Sequence, residues 1–156
     1  MHRFRDSSVD DPAARTLLAE YFAFRAASFP DPRGYVTAAP SPEQFVVPQG
    51  VFLVVELEGE AVGCGGVRRL SEHRFEVKHL WVRPAAQGHG LGRAMLAELE
   101  RRAAQLGATE VVLDTNASLE AAGGLYRSSG YVDIEPYNDN PNATNWYGKR
   151  LGAAVE

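Results

Sequence analysis

The stretch Gln87-Gly88-His89-Gly90-Leu91-Gly92 decides how this chain is read. It follows a strand-like run, Phe75 to Val82, and opens a helix-periodic run that begins at Leu91. A glycine-rich turn between a strand and a helix presents backbone N–H groups at the helix N-terminus, where the helix dipole adds partial positive charge. That arrangement suits a phosphate or pyrophosphate. Glycine lets the backbone turn tightly and approach a ligand with no Cβ in the way.

Two common phosphate motifs do not fit the turn. The dinucleotide fingerprint spaces its glycines G-x-G-x-x-G, whereas glycines 88, 90 and 92 run G-x-G-x-G. Asp114 stands at about the distance where that fingerprint places an acidic residue, so a nucleotide-binding regulator stays open as a reading. A P-loop needs Lys and then Ser or Thr after its last glycine, and Gly92-Arg93-Ala94 does not supply them.

Working outward, residues 2–6 read as a short strand, and Asp11-Pro12 as the N-cap and first residue of a helix reaching Ser28. Phe29 to Gln49 holds five of the nine prolines and no clear period, apart from a helical turn expected near Ser41 to Gln44. Long irregular segments in compact domains serve as binding loops or as plain connections. Val51–Glu58, Ala61–Leu70 and Phe75–Val82 read as an antiparallel meander, with Glu58-Gly59 at its first turn. Leu91 to Leu106 repeats apolar residues on one helical face and stops at Gly107. Thr109–Asp114 is a buried strand, and Ser118 caps a helix to Ser129. Tyr131–Glu135 and Thr144–Arg150 are the last strands. The order predicts mixed α/β, a six- to seven-stranded sheet flanked by helices.

Composition narrows the class. At 156 residues, with 45% hydrophobic and 23% charged residues, the chain fits a single domain over residues 1–156 with a sizeable core. A net charge of -4 argues against nucleic acid as the main partner. The longest fully apolar run, Val51 to Val55, is five residues, too short to span a membrane. The first residues carry no apolar stretch of the secretory kind, and Cys64 is the sole cysteine, so a cytoplasmic location is expected. Cys64 reads as a small core residue, because no base stands near it in sequence. The four histidines show no metal-ligand spacing, so no metal is expected.

The glycine turn also resembles the acetyl-CoA signature of the GNAT family of N-acetyltransferases: Gln or Arg, two residues, Gly, one residue, then Gly or Ala. Gln87, Gly90 and Gly92 hold those positions, and "LWVRPAAQGHGLGRAML" is similar to that family's segment throughout. "LYRSSGY", Leu125 to Tyr131, resembles its second signature at the right distance. The likeness runs from about Val51 to Leu151, while the first 50 residues fit only in pattern.

The resemblance implies an acyl-CoA N-acyltransferase fold. Acetyl-CoA, a co-substrate, would lie where the fourth strand splays from the fifth. Amides within Gly88, His89, Gly90, Leu91, Gly92 and Arg93 would hold the pyrophosphate, and backbone groups of Leu80, Trp81 and Val82 would pair with the pantetheine arm. Arg93 is either a further phosphate ligand or a solvated helix residue. His89 replaces the Arg or Lys common at its position in the family. Asn116 either bonds the pantetheine region or caps a turn. Gly123-Gly124 either allow close ligand approach or leave their helix loose.

The expected chemistry is direct attack of a neutral amine on the thioester. Tyr126 stands where the family places the tyrosine facing the CoA sulfur, as acid for the leaving thiolate, and its alternative is plain packing on the sheet. Glu76 matches the position of a glutamate base in some members. Alternation places Glu76, Lys78, Leu80 and Val82 on one face, so the alternative is a Glu76–Lys78 ion pair or a polar substrate wall. Fold analogy puts Tyr137, Asn138, Asp139, Tyr21, Phe24 and Arg25 near the acceptor mouth. The partners expected are acetyl-CoA and an unidentified amine, with the protein a monomer or homodimer. The rival class is a non-catalytic acyl-CoA-binding regulatory module. The acceptor and the acyl-chain preference are not written in the sequence.

Overall fold

The computed structural model describes residues 1–152. Strand β1 (His2–Asp6) is followed by helix α1 (Pro12–Ser28), a 3-10 turn at Pro42–Phe45, and strands β2 (Gly50–Leu57), β3 (Glu60–Arg69) and β4 (Arg74–Val82). A second 3-10 turn, Pro84–Ala86, leads to helix α2 (Leu91–Gln105). Then come β5 (Glu110–Thr115), α3 (Glu120–Ser128), β6 (Val132–Asp133) and β7 (Asn145–Arg150). The strands form one seven-stranded sheet in the order β1-β2-β3-β4-β5-β7-β6. Only the β4–β5 pairing is parallel.

Both faces of the sheet are covered, which explains the near-continuous apolar run of β2. Val51, Leu53 and Val55 pack with Leu91, Met95, Leu96, Leu99 and Ala103 of α2. Phe52 and Val54 belong to the other face, with Ala14, Leu17 and Leu18 of α1. Each helix contributes one apolar stripe, so α1 and α2 flank the sheet from opposite sides. Truncating a fully buried member such as Leu99 to Ala removes about 2–5 kcal/mol.

Local details depart from the sequence reading. Pro12 opens α1, but the Asp11 side chain makes no cap bond. Its carboxylate instead accepts from Ser7 Oγ at 3.0 Å and faces Arg5. The N-cap of helix α3 is Leu119 rather than Ser118, because Asn116 to Leu119 close a turn: Asn116 Oδ1 accepts from the Ser118 N–H and the Asn116 carbonyl from the Leu119 N–H. The strand expected over Tyr131–Glu135 shrinks to Val132–Asp133. Tyr131 turns inward, its hydroxyl donating to Glu100 at 2.8 Å, and Pro136 has no N–H to extend a ladder.

Candidate active site

The β4–β5 seam is short. Arg74–Glu76 pair with Glu110–Val112, and beyond these three residue pairs the strands separate. A bulge in β4 helps to drive them apart. Gly66 stands opposite Lys78 but Cys64 opposite Trp81, so β4 carries one extra residue there. His79 sits at the irregularity with φ +61°, in the left-handed region that non-glycine residues seldom enter. The bulge corrects the simple alternation. Trp81 joins the α1 face with His79, whereas Leu80 and Val82 join the α2 core with Phe75 and Val77. Glu76 and Lys78 therefore do not share a face with Leu80 and Val82.

The gap opens into a cavity of about 860 Å³. At one end lies the glycine turn. Gly88 and Gly90 have φ of +87° and +79°, which a side chain tolerates poorly, and a Cβ built on either would meet nothing within 4 Å. Gly90 is the N-cap of α2; no side chain caps that helix and its first turn holds no acidic residue. Its leading N–H groups thus lack a side-chain acceptor, and the helix dipole aids an anion there. Gln87, Gly88, Gly90, Leu91, Gly92 and Arg93 all border the cavity. His89 does not border it, and its side chain is exposed. Arg93 reaches across to α3, donating to Ser128 Oγ at 2.8 Å and Ser129 Oγ at 3.1 Å.

Leu80, Trp81 and Val82 form the wall along β4. Tyr126 faces them from α3; it is buried, borders the cavity, and its hydroxyl has no hydrogen bond among the described residues. Burial pushes the phenol up to about 12, so it stays protonated through neutral pH.

Glu76 lies elsewhere. It is 0% exposed and does not border the cavity. The ion pair expected with Lys78 is replaced by one with Arg68 on the neighbouring strand, whose Nε donates to Glu76 Oε1 at 2.9 Å. The register puts Arg68 directly opposite Glu76, closer than any residue two along the same strand. Tyr137 donates its hydroxyl to Oε2 at 2.6 Å, and burial together with this carboxylate raises the phenol's pKa. Lys78 borders the cavity with no ion pair among the described residues. Asn116 stays off the cavity wall; its Nδ2 donates to the Asn142 carbonyl and its Oδ1 closes the turn before α3. Gly123 and Gly124 also stay off it, and Gly123 sits beside the Arg127 guanidinium.

The far wall comes from α1 and from two loops. Tyr21, Phe24 and Arg25 of α1 border the cavity, as does Asn138, while Tyr137 and Asp139 do not. Tyr35 and Val36, from the proline-rich segment, complete this wall. Trp81 packs on Phe24 at 5.2 Å and donates its indole N–H to Glu20.

The sequence profile of the Acetyltransferase (GNAT) family matches residues 13–131. The chain belongs to that family. An uncharacterised N-acetyltransferase of Schizosaccharomyces pombe is 39% identical over 101 residues, covering 60% of this chain and 59% of that protein. An IAA acetyltransferase of Azospirillum brasilense is 34% identical over 87 residues, covering 55% and 57%. The chain thus spans under two thirds of those relatives' lengths. A Klebsiella pneumoniae structure, provisionally described as an acyl-CoA N-acyltransferase, superposes with TM-score 0.79 at 27% identity over 97% of this chain and 99% of that one. A GNAT acetyltransferase of Elizabethkingia anophelis with acetyl-CoA bound shares the fold, with TM-score 0.67 at 18% identity over 96% and 98%.

Three more residues of this GNAT chain's cavity are not among the acetyl-transfer site residues expected from sequence, and Asp114 stands out there only for its distance from the glycine turn. His79 is 7% exposed, caged by Tyr21, Phe22 and Phe45, with Nδ1 lacking any hydrogen bond among the described residues. Burial, helped by Lys78 and Arg68, lowers its pKa to about 3, so the ring is neutral at physiological pH. Asp114, at the end of β5, borders the cavity with Oδ2 accepting from Asn138 Nδ2 at 2.7 Å. Asn142 is buried and ties the far wall together. Among the described residues no cluster of His, Cys, Asp and Glu could hold a metal ion, and no helix is long and apolar enough to cross a membrane. Cys64 is fully buried beneath α1, its thiol donating to the His79 carbonyl and pushed up in pKa by burial.

Proposed function

We propose that the protein transfers the acetyl group of acetyl-CoA to a primary amine by direct attack. The observation that carries this reading is one cavity joining an uncapped glycine turn, a pair of splayed strands and the unpartnered Tyr126 hydroxyl. The turn takes the pyrophosphate on backbone N–H groups within 88–93. The free edge of β4 near Leu80–Val82 offers its main chain to the amide-bearing pantetheine arm. The bound acetyl-CoA of the Elizabethkingia relative supports the same ligand here.

In the reaction the amine nitrogen forms a bond to the thioester carbonyl carbon and the carbon–sulfur bond breaks. The departing thiolate takes the Tyr126 proton, and the nitrogen gives up its own. Burial keeps the Tyr126 phenol protonated until the thiolate forms, and the same desolvation makes the departing thiolate a stronger base than it is in water, which offsets the raised pKa of the phenol. Glu76 is engaged by Arg68 and Tyr137, so its part is to hold β3, β4 and the last loop together. Asp114, whose Oδ1 has no partner among the described residues, receives the amine proton through water.

Steady-state kinetics of Tyr126→Phe with acetyl-CoA test the assignment. A kcat equal to wild type defeats the acid role. The sequestered Glu76 favours one rival, a non-catalytic acyl-CoA-binding module. Tight CoA binding with no turnover over a broad amine panel decides for that rival.

A further inference from the structure

Arg25 has an unusual setting for an arginine. It is 8% exposed, it borders the cavity, and no carboxylate among the described residues pairs with it. A guanidinium has five N–H donors. Its one side-chain hydrogen bond among the described residues runs from Nη1 to Tyr21 Oη at 3.1 Å. The charge also stacks on the Tyr35 ring, 4.9 Å from its centroid. A role at the end of α1 does not explain it. The side chain points back along the helix to Tyr21, four residues earlier, and not to the last carbonyls. Other half-buried arginines are satisfied: Arg68 has Glu76, Arg83 has Glu20, Arg102 has Asp6 and Glu98, and Arg69, with no carboxylate among the described residues, donates three hydrogen bonds to the Glu72, Pro48 and Leu106 carbonyls.

A buried cation without an anion is costly, and the cost is offset when a ligand brings the negative charge. The phosphates of CoA are not that charge. They belong at the N-terminus of α2, whereas α1 covers the opposite face of the sheet. The group that reaches Arg25 enters from the acceptor side. There the wall around it is Phe22, Phe24, Tyr35 and Trp81. Across the cavity stands Asp114, and the Tyr35 and Tyr126 hydroxyls lie within electrostatic reach of both Arg25 and Asp114.

We infer that the acceptor is an amine that also carries a carboxylate on an apolar body, an apolar α-amino acid in class, with its carboxylate held by Arg25 and its amine turned to Asp114 and the thioester. This rests on the acetyl-transfer reading above. The planar guanidinium fork matches a carboxylate with two parallel N–H···O bonds.

The test is turnover with acetyl-CoA of matched sets. L-phenylalanine, L-leucine and L-methionine are each assayed beside the corresponding amide and decarboxylated amine, with acetyl-CoA binding measured separately by thermal shift. The expected result is a kcat/KM for the amino acid about 30-fold or more above its two partners, the range for a buried charge pair. In Arg25→Gln that ratio falls toward one, while the acetyl-CoA thermal shift persists. Arg25→Lys recovers only part of it, since a point charge replaces a fork. Equal or faster turnover of the amides and simple amines by wild type overturns the inference, whatever the variants do. So does acetyl-CoA binding with no turnover of any carboxylated amine, or an unchanged ratio in Arg25→Gln. Failure to bind acetyl-CoA defeats the acetyl-transfer reading itself, and this inference with it.

Discussion

Asn142 holds the backbone of Val36 from both sides: Oδ1 accepts the Val36 N–H at 2.9 Å and Nδ2 donates to the Val36 carbonyl at 2.7 Å. The two residues are 106 positions apart. One amide side chain thus acts as a short strand partner and fastens the proline-rich segment to the last loop. Asn142→Ala leaves both Val36 groups without their partners, at about 2 kcal/mol, which for this size is a fall in Tm of roughly 4–8 °C. Because Tyr35 and Val36 form the acceptor wall, KM for the amine rises more than KM for acetyl-CoA. Melting curves and two-substrate kinetics check both parts.

The glycine turn has a sharper expectation. Gly90→Ala places a Cβ at φ +79°, a strain of about 1–2 kcal/mol. The cavity has room for the methyl, so the penalty falls on the backbone path. The Kd for acetyl-CoA, measured by calorimetry, increases about 10-fold as the N–H groups lose their alignment. An affinity within twofold of wild type contradicts a backbone-held pyrophosphate.

His79 gives the protein an acid-side weakness. The free imidazole titrates near 6.5, and in the fold its pKa is lowered to about 3. Between those values the unfolded chain binds a proton that the folded chain refuses. The stabilisation is therefore complete above pH 6.5 and is lost as pH falls toward 3, by up to about 1.4 kcal/mol per pH unit. His79→Asn tolerates the left-handed backbone and removes the titration. Its Tm varies less than wild type between pH 6.5 and 5.5, above the range where the carboxylates protonate. Parallel wild-type and variant curves over that interval reject the assignment.

Glu76→Gln separates architecture from chemistry. Arg68 loses its counter-charge in a buried setting, so the melting temperature drops by several degrees. The pH profile of kcat keeps its shape, because the carboxylate does not face the cavity. Loss of an ionisation from that profile restores Glu76 as base.

These contrasts show which parts of the molecule are written locally. The turn at 88–92 and the helix after it follow from glycine spacing and one apolar stripe, both confined to about twenty residues. The meander Val51 to Val82 is legible from alternation and a Glu-Gly turn. The bulge at His79 is not, because its cause is a mismatch with β3 that no window of β4 displays. The choice of Arg68 over Lys78 as partner of Glu76 likewise needs the strand register. Arg25 could be placed near the acceptor mouth by analogy, but its missing anion is visible only once the folded chain shows that no carboxylate pairs with it among the described residues.

The narrow seam between β4 and β5 also sets how the protein opens. Four strands stand on one side and three on the other, and three residue pairs are all the ladder that joins them. Opening free energies are lowest where the fewest backbone bonds must break. Amide protons on the free edge of β4 beyond Glu76 will therefore exchange with solvent far sooner than those inside β2 and β3. A ligand lying along that edge closes the breach and slows them. The same discontinuity that admits the substrate is where the empty molecule breathes, so its working cleft and its weakest line are one and the same.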